Sequence, residues 1–289
     1  MPLNRDAVLA LTASSTVRWT ARDAALYAVG VGLGRNPLDI EALRYVALEP
    51  LRTLPSMMAS LIVGHGVSAK QMGVLFRGVV HAAQRIVVPR PLPANAVART
   101  ASSILGVYDQ GAEKGAAIVT CTRLIDDETG VELGRAEGEL LARADGGFGG
   151  PAPPRFEWPR PEGSADTTFE FYVRPEQAIL FRLSGDTNPL HVDPRVAGAA
   201  GFAQPILQGL CTYGMACRAV QEMSGGWDGG MDLSARFSAP VLPGDRLVVS
   251  LWRRGGEILF EAHVPDRGAV VLKAGRARLI EAVAEQASG

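Results

Sequence analysis

The 289-residue sequence lacks the features of several protein classes. Its three cysteines, Cys121, Cys211 and Cys217, are few and odd in number, which argues against a disulfide framework and predicts a reducing, cytoplasmic location. The four histidines form no close cluster with cysteine, so no metal site is expected. The formal charge is -1, from 29 basic and 30 acidic side chains without a basic block, so nucleic acid is not an expected partner.

Long apolar runs are also missing. The uncharged stretch 196–217 is broken by glycines and by Pro205, which predicts a turn and a buried element rather than a membrane span. The first residues, MPLNRDAV, do not have the apolar core of a signal peptide. We therefore expect no membrane association. What the sequence does have is an ordinary globular composition, with 47% hydrophobic and 20% charged residues.

One segment, DGGFGGPAPPRFEWPRPEGSAD at 145–166, is rich in glycine and proline and is predicted to be a linker. It separates an N-terminal unit, 1–144, from a C-terminal unit, 167–289. Each unit begins with two helical patterns, and four strand-like segments follow, so both are predicted to be α+β. The helical patterns are ARDAALYAVG and LPSMMASLIVG in the first unit, and PEQAILFRLS and ILQGLCTYGMACRAVQEM in the second.

The two units look like copies of each other. A shift of 152 residues places GRNPLD, from Gly34 to Asp39, on DTNPLH, from Asp186 to His191. Pro55 and Pro205 open the following helices at nearly the same offset. The carboxylate and imidazole at the ends of the motif occur in the second copy only, so one active site per chain is expected, in the C-terminal unit.

The stretch SGDTNPLHVD carries groups suited to proton transfer. Asp186 is an anionic acceptor at neutral pH, and His191 can exchange a proton in the physiological range, so together they could hold a water molecule. Gly185 permits unusual backbone angles and Pro189 restrains the loop. The alternative interpretation is an ordinary turn, because glycine, aspartate, asparagine and proline are common turn formers.

A second candidate element is the helix predicted to begin near Leu207. Its first N–H groups and positive dipole end could stabilise negative charge on a carbonyl oxygen, and Gly209 would allow a substrate to approach the backbone. The alternative is a packing glycine in a buried helix. Two other patterns are set aside: GVGLG at 30–34 follows a helix instead of preceding one, and no GxSxG motif indicates a serine hydrolase.

The segment LFRLSGDTNPLHVDPRVAGAAGFAQPILQGLCTYG, at 180–214, closely resembles the signature of the MaoC-like hydratases, in particular enoyl-CoA hydratase 2, the hydratase part of peroxisomal multifunctional enzyme type 2. Further similar segments occur in the family's order: YAVGVG, VVHAAQ, DGGFGG and ARFSAPVLPGD. The resemblance implies an α+β double hot dog, two repeats in which a sheet wraps around a long helix. It also implies that the N-terminal repeat lacks catalytic residues and shapes the acyl pocket, and that the chain forms a homodimer.

The resemblance implies specific roles as well. Asp186 and His191 would activate water, Asn188 would support them, and the Gly209 N–H would polarise the thioester carbonyl. The implied substrate contacts are His81, Ala82, Lys114, Asp186, Thr187, Asn188, Pro189, Leu190, His191, Gly209 and Phe237.

The expected reaction is reversible hydration of trans-2-enoyl-CoA to (3R)-3-hydroxyacyl-CoA, with no cofactor. The alternatives are a biosynthetic 3-hydroxyacyl thioester dehydratase, a hot-dog thioesterase and a non-catalytic acyl-CoA binding protein. A thioesterase would need an acid on the central helix, where the first acid is Glu222. Acyl specificity stays open, since the apolar candidates could equally be core residues: Leu54, Met57, Met58, Ile62 and Met72.

Overall fold

The computed structural model describes residues 3–75, 78–154, 161–227 and 229–281. The N-terminal repeat contains five helices and five strands in the order α1 (Arg5–Leu9), β1 (Thr12–Trp19), α2 (Ala21–Gly30), α3 (Ile40–Leu43), α4 (Met57–Leu61), α5 (Ala69–Met72), β2 (Val79–Val88), β3 (Ala96–Asp109), β4 (Ala116–Asp126) and β5 (Glu132–Ala142). No helix in these ranges is long and apolar enough to cross a membrane.

The C-terminal repeat follows the same plan with three helices and five strands. Its order is β6 (Thr167–Tyr172), α6 (Gln177–Arg182), α7 (Pro194–Ala199), α8 (Gly209–Met223), β7 (Gly230–Phe237), β8 (Arg246–Arg254), β9 (Glu257–Val264) and β10 (Ala269–Ile280). Two short 3₁₀ turns, at Pro189–His191 and Pro265–Arg267, complete it.

All ten strands form one antiparallel sheet, in the order β1-β3-β4-β5-β2-β7-β10-β9-β8-β6. Each half has the same order from its outer edge inward, so the duplication predicted from the sequence is visible in the topology. The halves join where β2 pairs with β7, from Ala83 opposite Arg236 to Val88 opposite Met231. This is the predicted α+β double hot dog fold, with the two halves merged into a single sheet.

The central helix is long in the second repeat only. The 15-residue α8 is almost entirely buried, and its side chains pack in the main core against both halves of the molecule. Its counterpart α4 has five residues, so the expectation of a long helix in each repeat is wrong for the first. Pro55 precedes α4 and cannot lie inside a helix, and Gly64 follows it at a φ of +80°.

Helix α8 begins at Gly209 and not near Leu207 as predicted. The reason is that Leu207 still belongs to an extended segment, where its N–H donates to the Val241 carbonyl at 2.8 Å. Gln208 is the N-cap with an extended ψ of 134°, and its side chain does not cap the helix. The first N–H groups of α8 are therefore left for another partner.

The sequence patterns missed one strand in each repeat. The eight predicted strands are present, and β3 and β8 coincide with two of the predicted strand-like segments, AVARTASSILGVYD and RLVVSLWRR. The missed strands, β1 and β6, are the two outer edges of the sheet. Neither buries more than a few side chains, so neither has the strong apolar alternation that predicts a strand.

The glycine-rich start of the predicted linker is fastened to the first repeat. The Asp109 carboxylate accepts N–H groups from Gly111 and Gly147 at 2.8 Å and from Gly149 at 2.6 Å. These hydrogen bonds lower the pKa of Asp109. A Cβ on Gly146 would lie 2.2 Å from the Gly111 carbonyl oxygen, so only glycine fits there. The boundaries of the linker, of which 155–160 lie outside the described residues, stay a prediction.

Candidate active site

The loop that follows α6 places the predicted catalytic side chains. Gly185 has a φ of +113°, which favours glycine and turns the chain out of the helix. The Asp186 carboxylate then accepts the Asn188 N–H at 3.1 Å, and the Asn188 side chain accepts the Leu190 N–H at 3.1 Å. Pro189 opens the 3₁₀ turn that ends at His191. The loop is thus an ordinary turn in its backbone, and it carries the two predicted catalytic side chains.

His191 and Asp186 face each other across a gap. The His191 imidazole is 8% exposed, and its Nδ1 lies 2.8 Å from the Ile206 carbonyl oxygen. Because a carbonyl oxygen can only accept, Nδ1 carries the hydrogen and Nε2 of the neutral ring is an acceptor. Nε2 lies 4.0 Å from Oδ2 of Asp186, too far for a direct hydrogen bond. A water molecule between the two acceptors could donate one hydrogen to each.

The start of α8 is crowded on one side by an aromatic ring. A Cβ on Gly209 would lie 3.1 Å from the nearest ring atom of Phe237, so glycine keeps the helix start and the ring in close contact. The Phe237 ring in turn packs on the imidazole of His81, with centroids 4.9 Å apart. The predicted oxyanion donor, Gly209, is therefore next to two predicted substrate contacts.

His81 reaches this place from the first repeat. A register shift between His81 and Ala83 interrupts the pairing of β2 with β5, a bulge that redirects the side chain. Burial lowers the pKa of His81 to about 4, against a smaller opposite effect from the backbone of Ala83 and the charge of Asp186. His81 is therefore neutral at physiological pH and can donate one hydrogen bond.

The other predicted contacts lie at different distances from the catalytic loop. Ala82 is buried beside His81, while Thr187 and Pro189 are exposed and Leu190 is half-buried on the loop. Lys114 is exposed in the turn between β3 and β4, at the end of the sheet where β2 begins. In the described part of the chain, no hydrogen bond or ion pair joins Lys114 to the catalytic loop. The roles of all these residues stay predictions.

The equivalent loop of the first repeat has a structural use. Gly34 has a φ of +74°, and the Asp39 carboxylate accepts the Ala42 N–H at 3.0 Å as the N-cap of α3. Asp39 is half-buried, whereas His191, its counterpart, is buried. This loop therefore caps a helix where the second repeat has the predicted catalytic pair.

Two contributions to the site were not predicted. The Ile206 carbonyl orients His191, and a backbone group leaves no mark in a sequence pattern. The Ser60 carbonyl lies 3.8 Å from the Cβ position of Gly185, so α4 of the first repeat covers the catalytic loop.

In the part of the chain that the structure describes, no group of three or more histidine, cysteine, aspartate or glutamate side chains could hold a metal ion.

Comparison with known proteins agrees with this geometry. The protein-family model described as MaoC like domain matches residues 158–273, and the family model described as MFE-2 hydratase 2 N-terminal domain matches residues 18–144. The enoyl-CoA hydratase ChsH3 of Mycobacterium tuberculosis is 33% identical over 95% of this chain and 98% of its own. The chain belongs to the MaoC-like enoyl-CoA hydratase 2 family. A peroxisomal enoyl-CoA hydratase 2 of Arabidopsis thaliana is 31% identical over 93% of each chain.

Solved structures show the same fold. A MaoC-like dehydratase from Phytophthora capsici superposes with a TM-score of 0.83 and 28% identity, over 96% of this chain and 98% of that one. A Mycobacterium tuberculosis protein described as a double hot dog gives a TM-score of 0.55 at 17% identity, over 92% of this chain and 93% of that one. The residues that match the MaoC like domain, 158–273, include Asp186, His191 and Gly209.

Proposed function

We propose that the protein catalyses the reversible addition of water to trans-2-enoyl-CoA, giving (3R)-3-hydroxyacyl-CoA. The observation that carries the proposal is the 4.0 Å gap between His191 Nε2 and Asp186 Oδ2. Two acceptors at this separation suit a water molecule, and the Ile206 carbonyl that holds His191 precedes the uncapped start of α8 by three residues. The names of the relatives, enoyl-CoA hydratases in two organisms, support the same reaction.

In the proposed mechanism, the first N–H of α8, at Gly209, polarises the thioester carbonyl and makes C3 electrophilic. Water held by Asp186 and His191 loses a proton to this pair and attacks C3. A proton then reaches C2 from the same side, which gives syn addition. No cofactor is required in this scheme.

The acyl group is proposed to lie over the first repeat. His81 and the helix α4 border the catalytic loop from that side, so a substrate whose thioester meets Gly209 would extend its tail between α4 and the sheet. The candidates Leu54, Met57 and Met58 are buried in the main core, and Met72 lies in a second apolar cluster. We propose one active site per chain and a homodimer, so that a dimer has two sites.

A thioesterase is the first alternative. The acid on α8, Glu222, lies one residue from the end of the helix and pairs with Arg218 at 2.7 Å, so it is remote from the helix start and already engaged.

A second alternative is dehydration of a 3-hydroxyacyl thioester in vivo. One relative, from Mycobacterium tuberculosis, is named a 3-hydroxyacyl-thioester dehydratase and is 35% identical. A catalyst accelerates both directions, so this alternative shares the mechanism.

The deciding experiment incubates the protein with trans-2-decenoyl-CoA and follows the absorbance of the conjugated thioester and the release of free thiol. Hydration removes the absorbance without thiol release, and chiral chromatography of the product should show the (3R) isomer. Stoichiometric thiol release would establish a thioesterase, and binding without turnover would establish a non-catalytic acyl-CoA binding protein.

The three cysteines are buried free thiols, which suits the proposed cytoplasmic location.

A further inference from the structure

Arg182, the last residue of α6, reaches back to the catalytic loop that follows the helix. Its Nη1 donates to the carbonyl oxygen of Thr187 at 2.5 Å. A cation in the last turn also interacts favourably with the helix dipole, so the charge alone could serve α6. The bond to Thr187 adds nothing to α6, because this carbonyl lies five residues beyond the end of the helix.

The peptide group between Thr187 and Asn188 is bound at both ends. Its oxygen accepts from Arg182, and its N–H donates to Oδ1 of Asp186 at 3.1 Å. A cation thus faces the negative end of the peptide dipole, and a carboxylate faces the positive end. A peptide turned over by about 180° would point its oxygen at the carboxylate and its N–H at the guanidinium, so both contacts would become repulsive. Arg182 therefore favours one orientation of this peptide.

This orientation determines where Asp186 points. Because Oδ1 is bound to the Asn188 N–H, the other oxygen, Oδ2, is the one that lies 4.0 Å from Nε2 of His191. His191 is held separately, by the Ile206 carbonyl. Of the two acceptors proposed to hold water, the imidazole is thus buried and anchored, whereas the carboxylate depends on a loop in which Thr187 is exposed.

The first repeat has no arginine at the equivalent place. The shift of 152 residues that aligns the two loops places Arg182 on Gly30, which is likewise the last residue of its helix, α2. The same shift replaces Asp186 by Gly34 and His191 by Asp39. The arginine and the predicted catalytic pair therefore occur in the same copy. An arginine that only stabilised a helix end would be equally useful in both copies.

We propose that Arg182 is a positioning residue for hydration: it fixes the 187–188 peptide so that Asp186 presents Oδ2 to the water opposite His191. This inference rests on the proposed function. Loss of the guanidinium should lower kcat, because the carboxylate would leave its productive geometry in a fraction of the molecules. KM should change little, since Arg182 in this role binds no part of the thioester.

The test measures kcat and KM on trans-2-decenoyl-CoA for variants of Arg182. Arg182→Gln should lower kcat roughly tenfold or more and change KM less than about twofold, because a displacement of about 1 Å can cost a factor on the order of 100. Arg182→Lys, which keeps a cationic donor, should recover most of the lost kcat. Arg195→Gln is the matched control, since this side chain is 91% exposed and pairs with Asp193; its kcat should equal that of the wild type.

A double-variant cycle separates positioning from support of the fold. If Arg182 acts through Asp186, Arg182→Gln should cost little further kcat in a protein that already carries Asp186→Asn. A residue that only supports the fold would lower kcat by the same factor in both backgrounds. The two roles therefore give different results in the same assay.

Each other outcome has a definite meaning. Wild-type kcat in Arg182→Gln would overturn the inference and leave hydration intact, whereas a wild-type protein without hydration activity would overturn the proposed function as well. A raised KM at unchanged kcat would assign Arg182 to substrate binding and overturn the positioning role, as would equal losses in the two backgrounds of the cycle. If Arg182→Gln does not fold by circular dichroism, Arg182→Met, which keeps the aliphatic stem, takes its place.

Discussion

The imidazole of His81 and the phenyl ring of Phe237 pack together with their planes inclined by 51°. His81 belongs to β2 of the first repeat and Phe237 to β7 of the second, and these two strands join the halves of the sheet. The contact places a side chain of the first repeat beside the ring that touches Gly209 at the start of α8 in the second. The proposed site is therefore shared between the repeats.

The first prediction concerns the proposed catalytic pair. Asp186→Asn and His191→Ala should each lower kcat on trans-2-decenoyl-CoA by a factor on the order of 100 or more, as is typical when a general acid or base is removed. Steady-state kinetics measured by loss of the enoyl absorbance provides the test, with circular dichroism to verify folding. Near-normal hydration by either folded variant would remove that residue from the mechanism.

The matched control lies in the first repeat. Asp39→Ala should retain most of the activity, because Asp39 only caps α3. A loss of about 1 kcal/mol in stability is expected from the missing cap. Titration with a non-reacting acyl-CoA analogue should saturate at about one per chain, as the one-site proposal requires; two ligands per chain would contradict it.

A second prediction tests the start of α8. Gly209→Ala should lower kcat/KM, because its Cβ would press on the Phe237 ring at 3.1 Å and displace either the ring or the helix start. Gly198→Ala is the control, since a Cβ on Gly198 meets no atom within 4 Å. Activity measured side by side should fall in the first variant alone. An unchanged Gly209→Ala enzyme would argue against close approach of the substrate to this backbone.

A third prediction uses the lowered pKa of His81. Between its ordinary value of 6.5 and about 4, the unfolded chain binds a proton that the folded chain does not. Stability is therefore complete above this window and falls as the pH falls through it, by an amount on the order of 3 kcal/mol. Urea unfolding of the wild type and of His81→Gln at several pH values should show a shallower acid loss in the variant. Parallel pH curves would mean that His81 is not held neutral by burial.

A fourth prediction concerns Asp109, whose carboxylate binds the glycine-rich start of the predicted linker. Asp109→Ala should lower the melting temperature, because three backbone N–H groups lose the carboxylate that accepts them. Since the pKa of Asp109 is lowered in the folded state, its contribution is present at neutral pH and is lost on acidification. Asp127→Ala, at an exposed position on the opposite end of the sheet, serves as the control. Equal melting temperatures for the two variants would show that these hydrogen bonds of Asp109 do not stabilise the fold.

Local sequence patterns were enough to predict the turn at 184–193, whereas its catalytic role was implied by the resemblance to the MaoC-like hydratases and stays a prediction. Its glycine, asparagine and proline specify a turn through their own backbone preferences, and the hydrogen bonds of Asp186 and Asn188 are made within two residues. The helix α2 and the strands β3 and β8 have the predicted bounds for a similar reason, because their periodicity is local.

What could not be predicted depends on contacts distant in the chain. His191 is oriented by the carbonyl of Ile206, 15 residues later, and His81 is redirected by a bulge against β5. The edge strands β1 and β6 exist because a neighbour pairs with them, not because of strong patterns of their own.

The continuous ten-stranded sheet limits how this molecule can move. Hydrogen-bonded pairing joins neighbouring strands from β1 to β6, and the β2–β7 ladder makes the two repeats parts of one sheet. Substrate admission by opening one repeat away from the other would require breaking the β2–β7 ladder. Entry of an acyl group would instead require local displacement of helix α4, which covers the loop at Gly185.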